Sequence, residues 1–109
     1  MDNVIGPSVH GSLDQLLQRA LLLDLETGAD GAIHKIGAIR DGKEFRRQGK
    51  FQLHRALTEL EGFAGDAEFV IGHNLLGHDL PTLRVLAPTL TLLGRRIVEI
   101  GRAPCRERV

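Results

Sequence analysis

The sequence predicts an α/β fold in which three antiparallel strands of a mixed sheet are followed by a helix and a parallel strand. Three β-prone runs, at 21–26, 35–40 and 44–53, are separated by turn sequences, which is typical of a meander. Residues 54–64 carry apolar side chains at helical spacing and precede another short apolar run at 69–71. We therefore expect a helical crossover that returns the chain to the sheet parallel to the first strand.

A leader is predicted before the first strand. Within residues 1–19, Ser12 or Asp14 can cap a short helix. A Gly- and Asp-rich segment at 27–32 forms the turn after the first strand. The Asp-Gly pair at 41–42 is a hairpin signal, so we expect the second and third strands to be antiparallel neighbours.

Helices are expected to flank the sheet of the predicted domain, residues 20–98. The helix over 54–64 ends at a Gly-Asp pair, and a second helix begins at Leu80 and ends at an Ala-Pro pair. The Leu-rich stretch from there to Val98 fits either a helix or a strand.

Composition restricts the class of protein. With 109 residues the chain forms at most one domain, and its core must be aliphatic because it has four Phe and neither Trp nor Tyr. The formal net charge is zero, so no overall field attracts nucleic acid. The single cysteine excludes a disulfide framework, and no apolar run is long enough to span a bilayer. We expect a soluble, cytoplasmic protein with no membrane partner.

Local charge is less even than the net charge. Six basic residues surround the third predicted strand: Arg40, Lys43, Arg46, Arg47, Lys50 and Arg55. Such a run is most often a solvated edge, where Lys and Arg discourage edge pairing. The alternative is contact with phosphates, which needs only a few cations.

Two carboxylates at the end of the first strand are the most informative feature. Asp24 and Glu26 are two residues apart, so on a strand their side chains share one face, about 7 Å apart. Like charges so close need solvent or a cation to offset them. Because hard divalent ions prefer oxygen ligands, two Mg²⁺ or Mn²⁺ ions are one interpretation. The other is that both acids are solvated where the strand runs into the turn at Thr27-Gly28.

A third carboxylate follows the apolar run at 69–71. Asp79 precedes the second helix, where Asp is a preferred N-cap and Pro81 fits the first turn. A capping role and a metal role are both open, and one does not exclude the other. His73 and Asn74 lie between that run and Asp79, and a His at such a strand end is more often buried and hydrogen-bonded than catalytic.

Together these segments resemble the DEDD superfamily of 3′→5′ exonucleases, the DnaQ-like proofreading and RNA-trimming nucleases with a ribonuclease-H-like fold. The first motif of that family, Asp-x-Glu followed by Thr and Gly, matches residues 24–28. Residues 33–39 look like the second strand that usually follows. The second motif, an Asn and then an aromatic residue before Asp, matches Asn74 and Asp79, with His78 in the aromatic position.

The resemblance implies two-metal hydrolysis of the phosphodiester bond at a 3′ end. Asp24 would bridge both ions, and Glu26 and Asp79 would bind one each. The implied substrate-binding residues are Thr27, Gly28, His73 and Asn74. The implied partner is the 3′ end of single-stranded nucleic acid, with DNA favoured over RNA. The spacing from Asn74 to Asp79 is closer to the form in family B polymerase exonuclease domains, and residues 72–81 also look like exonuclease modules fused ahead of RecQ-type helicases. These resemblances imply a helicase or polymerase domain in the full protein and a role in DNA repair.

The third family motif is what this sequence lacks. In the family a fourth carboxylate, with a His or Tyr a few residues before it, completes the site. After Asp79 the only acids are Glu99 and Glu107, and no His or Tyr follows His78, which is the better substitute for that base. We therefore expect an N-terminal fragment that is inactive as it stands.

Residues 99–109 suggest why the motif is missing. They resemble the frame-shifted translation of a sequencing adapter, and would then lie outside the fold and truncate the exonuclease domain. A natural Arg-rich tail is the alternative.

A second class of function stays open beside the exonuclease. The same fold can serve as a noncatalytic ribonuclease-H-like module that binds nucleic acid or a protein. A metal-dependent phosphotransferase of another fold has little support, because no Gly-rich phosphate loop accompanies the acids.

Overall fold

The computed structural model describes residue 15, residues 17–100 and the backbone of residues 106–108. The strands are β1 (Ala20–Thr27), β2 (Ile33–Arg40), β3 (Lys43–Gln48), β4 (Phe69–Gly72), β5 (Arg96–Glu99) and β6 (Arg106–Arg108). The helices are α1 (Leu53–Ala64) and α2 (Leu80–Leu86), with a π-helical turn (Leu75–Asp79) and a 3₁₀ turn (Thr91–Gly94). The predicted caps Ser12 and Asp14 lie outside the described residues.

These strands form one mixed sheet in the order β3-β2-β1-β4-β5-β6. Strands β1, β2 and β3 are an antiparallel meander, whereas β4 and β5 run parallel to β1. The predicted α/β class, the meander and the parallel strand are therefore confirmed, and the topology is consistent with a ribonuclease-H-like fold. The segment left undecided by the sequence forms the 3₁₀ turn and β5. The short β6 pairs antiparallel with β5, and whether residues 99–109 are foreign stays a prediction.

The third strand ends earlier than predicted. It was expected over 44–53, but Gly49 adopts a φ of +78°, which takes the chain out of the extended conformation. Gln52 then caps α1, because its side chain accepts a hydrogen bond from the Arg55 backbone N–H at 2.9 Å. Residues 49–52 are thus a connection that starts the crossover helix.

The hydrophobic core lies between one face of the sheet and the two helices. Leu21, Leu23 and Leu25 of β1 are buried there, while the alternate side chains Asp24 and Glu26 are exposed on the other side of the strand. The core is aliphatic apart from a few Phe side chains, as the composition predicts. Within the described part of the chain, no helix is long and apolar enough to cross a membrane.

Strand β4 stops short of the end of β1, and this positions the candidate site. Pairing between them runs only to Leu22 and Ile71. At Gly72 the chain passes so close to the Leu23 carbonyl and the Leu75 side chain that an added Cβ would overlap them. The last residues of β1 consequently extend past β4, and the π-helical turn comes to lie beside them.

Candidate active site

Asp79 is the one buried charged residue in the described part of the chain, with 2% of its surface exposed. Its backbone is already helical, because the π-helical turn runs directly into α2, and its side chain makes no capping hydrogen bond. Instead, Oδ2 accepts a hydrogen bond from the Leu25 backbone N–H at 3.3 Å. Asp79 therefore occupies the N-cap position of α2, but its side chain does not cap the helix, and Pro81 lies in the first turn.

This hydrogen bond places Asp79 beside the paired acids of β1. Leu25 lies between Asp24 and Glu26, so the carboxylate meets the strand at the centre of the Asp-x-Glu motif. Burial raises the pKa of Asp79, and the nearby Asp24 charge raises it further, although hydrogen bonds from His78 and Leu25 oppose the change. Asp24 and Asp79 are thus close enough to interact electrostatically.

Glu26 is held differently from the other two acids. Its carboxylate is exposed and lies 3.8 Å from the ammonium group of Lys35, its partner on β2. Across residues 15 and 17–100, no three His, Cys, Asp or Glu side chains are grouped so that they could hold a metal ion. The three predicted ligands therefore adjoin the same short segment of β1 without forming a closed cluster.

Thr27 and His78 connect the end of β1 to Asp79. The pairing of β1 with β2 shifts register between Glu26 and Thr27, an irregularity of the kind that redirects side chains. The Thr27 hydroxyl lies 3.0 Å from His78 Nε2, and His78 Nδ1 lies 2.6 Å from Asp79 Oδ1. One imidazole ring therefore bridges two of the predicted site residues.

Asn74 supports Asp79 through its backbone. It adopts a left-handed conformation, with a φ of +53°, at the start of the π-helical turn. Its carbonyl accepts hydrogen bonds from the backbone N–H groups of His78 at 2.9 Å and Asp79 at 3.3 Å. The Asn74 amide group packs against Gly77, where a Cβ would overlap its oxygen. The backbone of Asn74 thus holds the turn that carries Asp79.

The remaining substrate-binding candidates lie at the margins of this region. Gly28 donates a backbone hydrogen bond to Ala32 at 2.9 Å, and the His34 ring packs so closely on it that no Cβ would fit. His73 is exposed, so the interpretation of a buried histidine is wrong. Together with Asp24 it lines an open groove of about 340 Å³ that runs over the sheet face opposite the helices.

Glu99 supports the π-helical turn that leads to Asp79, a contact that the sequence did not reveal. Its carboxylate accepts a hydrogen bond from the Leu76 backbone N–H at 2.8 Å and so fastens the start of the π-helical turn to β5. The parallel alignment of β4 and β5 brings Glu99 level with Gly72, next to that turn. No local sequence pattern predicts this contact, because it joins two residues that are 23 positions apart in the chain.

Most of the basic cluster is paired with acids on the protein itself. Arg40 pairs with Asp66, Arg46 with Glu44, and both Arg47 and Arg55 with Glu59. Arg47 also stacks on the Phe45 ring. These contacts favour the interpretation of a solvated edge over a surface that contacts phosphates.

Comparisons with protein-family models, with curated proteins and with solved structures found no match to this chain.

Proposed function

We propose that this chain is part of a metal-dependent 3′→5′ exonuclease that hydrolyses phosphodiester bonds at the 3′ ends of single-stranded nucleic acid. The observation that carries the proposal is the hydrogen bond between Asp79 and Leu25, two residues 54 positions apart in the chain. It brings the acid of the second family motif to the centre of the first. A solvated Asp79 would be exposed, whereas this residue is buried.

The chemistry of the acids fits a divalent cation. Asp24 and Asp79 offer carboxylate oxygens, which Mg²⁺ and Mn²⁺ prefer. Burial and repulsion from Asp24 both raise the pKa of Asp79. A bound cation would offset this repulsion and stabilise the ionised carboxylates. To bind the ion, Glu26 would have to give up its contact with the Lys35 ammonium group. When bound, paired ions would acidify the attacking water and stabilise the leaving 3′-oxygen.

The chain's own residues would position the substrate. Thr27 and Gly28 follow the acids directly and would hold the terminal nucleotide, while Asn74 keeps Asp79 in place through its carbonyl. His73 lines the groove beside Asp24, where a preceding nucleotide could lie. DNA is the favoured substrate over RNA, and a helicase or polymerase domain in the full protein is part of this proposal.

The test is 3′-end trimming by the full-length protein. With Mn²⁺, we expect a 5′-labelled single-stranded oligonucleotide to shorten in single-nucleotide steps. Asp24→Ala should abolish trimming, and Asp66→Ala, which removes an exposed carboxylate away from the groove, should not. The 109-residue chain alone should show little or no turnover, because a fourth carboxylate and its preceding His or Tyr are missing from it. Trimming that survives Asp24→Ala would refute the proposal.

The second candidate is a noncatalytic ribonuclease-H-like module that binds nucleic acid or a protein. It is favoured by one observation, the lack of any three-membered metal-holding group among the described side chains. Oligonucleotide binding by the full-length protein that is indifferent to EDTA, with no trimming under any metal, would select this candidate.

A further inference from the structure

The sheet face opposite the helices carries an apolar surface of its own. A second hydrophobic cluster, separate from the core, lies there and is formed by Ala20, Phe69 and Ile71 with Leu22 and Val98 packed against it. Ile39, the partner of Leu22 on β2, is 44% exposed on the same face. A contiguous apolar surface of this kind indicates that another segment or molecule packs on it.

Two hollows on this face are continuous with each other. The groove of about 340 Å³ and a second hollow of about 290 Å³ share Leu22 and Ile39 in their walls. The second hollow is also lined by Leu17 and Gln18, which lie just before β1, and the groove extends to Ile100, which follows β5. The apolar surface therefore runs from the first described residues across the sheet to the end of β5.

The N-terminal segment starts at this surface and is long enough to cross it. Residues 1–14 lie outside the described part of the chain and lead directly to Gln15, two positions before the exposed Leu17. An extended segment of this length reaches about 46 Å, whereas β2 and β5 are separated by three strand spacings, about 14 Å. The segment also carries apolar side chains that can fill the groove, at Val4, Ile5, Val9 and Leu13.

The segment has two advantages over other occupants of the face. Because it is tethered at Gln15, its effective concentration there far exceeds that of a separate molecule. Residues 101–105 are instead taken up by the connection from β5 to β6, since Glu99 pairs with Arg106.

We propose that residues 1–14 fold back across the sheet face opposite the helices and cover the groove beside Asp24. In this arrangement the apolar side chains of the segment pack on Leu22, Ile39 and Ile71. The N-terminal segment thereby acts as an intramolecular cover, and any other occupant of the groove must displace it.

Paramagnetic broadening from a nitroxide on the segment tests the proposal. In the 109-residue chain carrying Cys105→Ser, a nitroxide attached at Ser8→Cys should remove most of the methyl signal intensity of Ile39. The methyl signals of Val85, which is 81% exposed on α2 at the other side of the sheet, should keep their intensity. Reduction of the nitroxide with ascorbate should restore the Ile39 signal. Equal attenuation of both residues, or of neither, would overturn the proposal.

Two matched variants show whether apolar packing holds the segment in place. Ile5→Asp replaces an apolar side chain by a charged one and should abolish the attenuation of Ile39, because a carboxylate is costly to bury against an apolar surface. Asn3→Asp introduces the same charge without removing an apolar side chain and should retain the attenuation. Attenuation that is unchanged in Ile5→Asp would overturn the proposal.

Two further measurements identify a different occupant of the face. A nitroxide on the native Cys105 that attenuates Ile39 more strongly than one at Ser8→Cys would assign the face to the C-terminal segment. Mixing spin-labelled chain with isotopically enriched, unlabelled chain should leave Ile39 unaffected, and attenuation in the mixture would assign the face to a second copy. Either result overturns the proposal, and neither bears on the proposed exonuclease function.

Discussion

The buried Asp79 carboxylate accepts a hydrogen bond from the Leu25 backbone N–H, which a carbonyl of a neighbouring strand would otherwise accept. Because β4 pairs with β1 only as far as Leu22, the Leu25 N–H lies beyond the reach of β4. The Oδ2 atom of Asp79 accepts it at 3.3 Å. A backbone group that would otherwise be exposed at a sheet edge is thereby satisfied by the acid on which the proposed chemistry depends.

This arrangement predicts that Asp79→Asn stabilises the protein at neutral pH. Burial raises the pKa of Asp79 above its unfolded value. The side chain therefore contributes to stability below the unfolded pKa, and this contribution is lost as the pH rises through the folded pKa. Urea unfolding should show Asp79→Asn to be more stable than the wild type at pH 7, and the difference should shrink as the pH falls through the raised folded pKa towards the unfolded value of about 4.

Asp66→Asn is the control, because the pKa of Asp66 is shifted in the opposite direction from that of Asp79. The Arg40 guanidinium lowers the pKa of Asp66, so the ion pair contributes above the unfolded pKa and is lost as the pH falls. Asp66→Asn should thus give no stabilisation at pH 7. A wild type that is more stable than Asp79→Asn at pH 7 would contradict a raised pKa of Asp79 in the folded protein.

Gly72→Ala is predicted to destabilise the fold by about 2–3 kcal/mol. A Cβ at this position would overlap the Leu23 carbonyl oxygen, which is backbone and cannot rotate away, as well as Leu75. Gly62→Ala, in helix α1 with nothing near the added methyl, should instead stabilise by about 0.5–1 kcal/mol. Chemical denaturation of both variants compares them, and equal stability would show that β4 can move away from β1.

Arg40 is predicted to matter more than the other arginines of the basic cluster. Its side chain, 17% exposed, donates to the Ala64 carbonyl at the end of α1 and to Asp66. Arg40→Ala should cost about 1–3 kcal/mol, because hydrogen bonds to charged groups are stronger than neutral ones. Arg46→Ala breaks only an exposed pair with Glu44 and should cost less than about 0.5 kcal/mol in the same denaturation experiment. Equal losses would mean that Arg40 does not fasten α1 to the sheet.

The parts of the fold that the sequence predicted depend on local periodicity. Alternation in β1 placed Asp24 and Glu26 on one face and Leu25 on the other, as observed. The hairpin turn at Asp41-Gly42 could be predicted because an Asp-Gly pair favours the positive φ that such a turn requires. Both residues adopt a positive φ. These features involve residues that are close in the sequence, where side-chain type and spacing decide the conformation.

The parts that were missed depend on contacts between distant segments. Asp79 was open to an N-cap interpretation because the rule for helix starts cannot foresee a π-helical turn that continues into α2. The hydrogen bond between Thr27 and His78 joins residues 51 positions apart, and the one from the Leu76 N–H to Glu99 joins residues 23 positions apart. The sequence did show that His78 replaces the aromatic residue of the family motif. It did not show that His78 contacts Thr27.

Asp24 and Asp79 are proposed to bind one divalent cation together, and the decisive measurement is Mn²⁺-induced line broadening in amide NMR spectra. At substoichiometric Mn²⁺, we expect the signals of Leu25 and Leu80 to broaden first, and either Asp24→Asn or Asp79→Asn to remove the effect while Asp66→Asn does not. Broadening centred on Asp66, or unchanged broadening in both site variants, would contradict it.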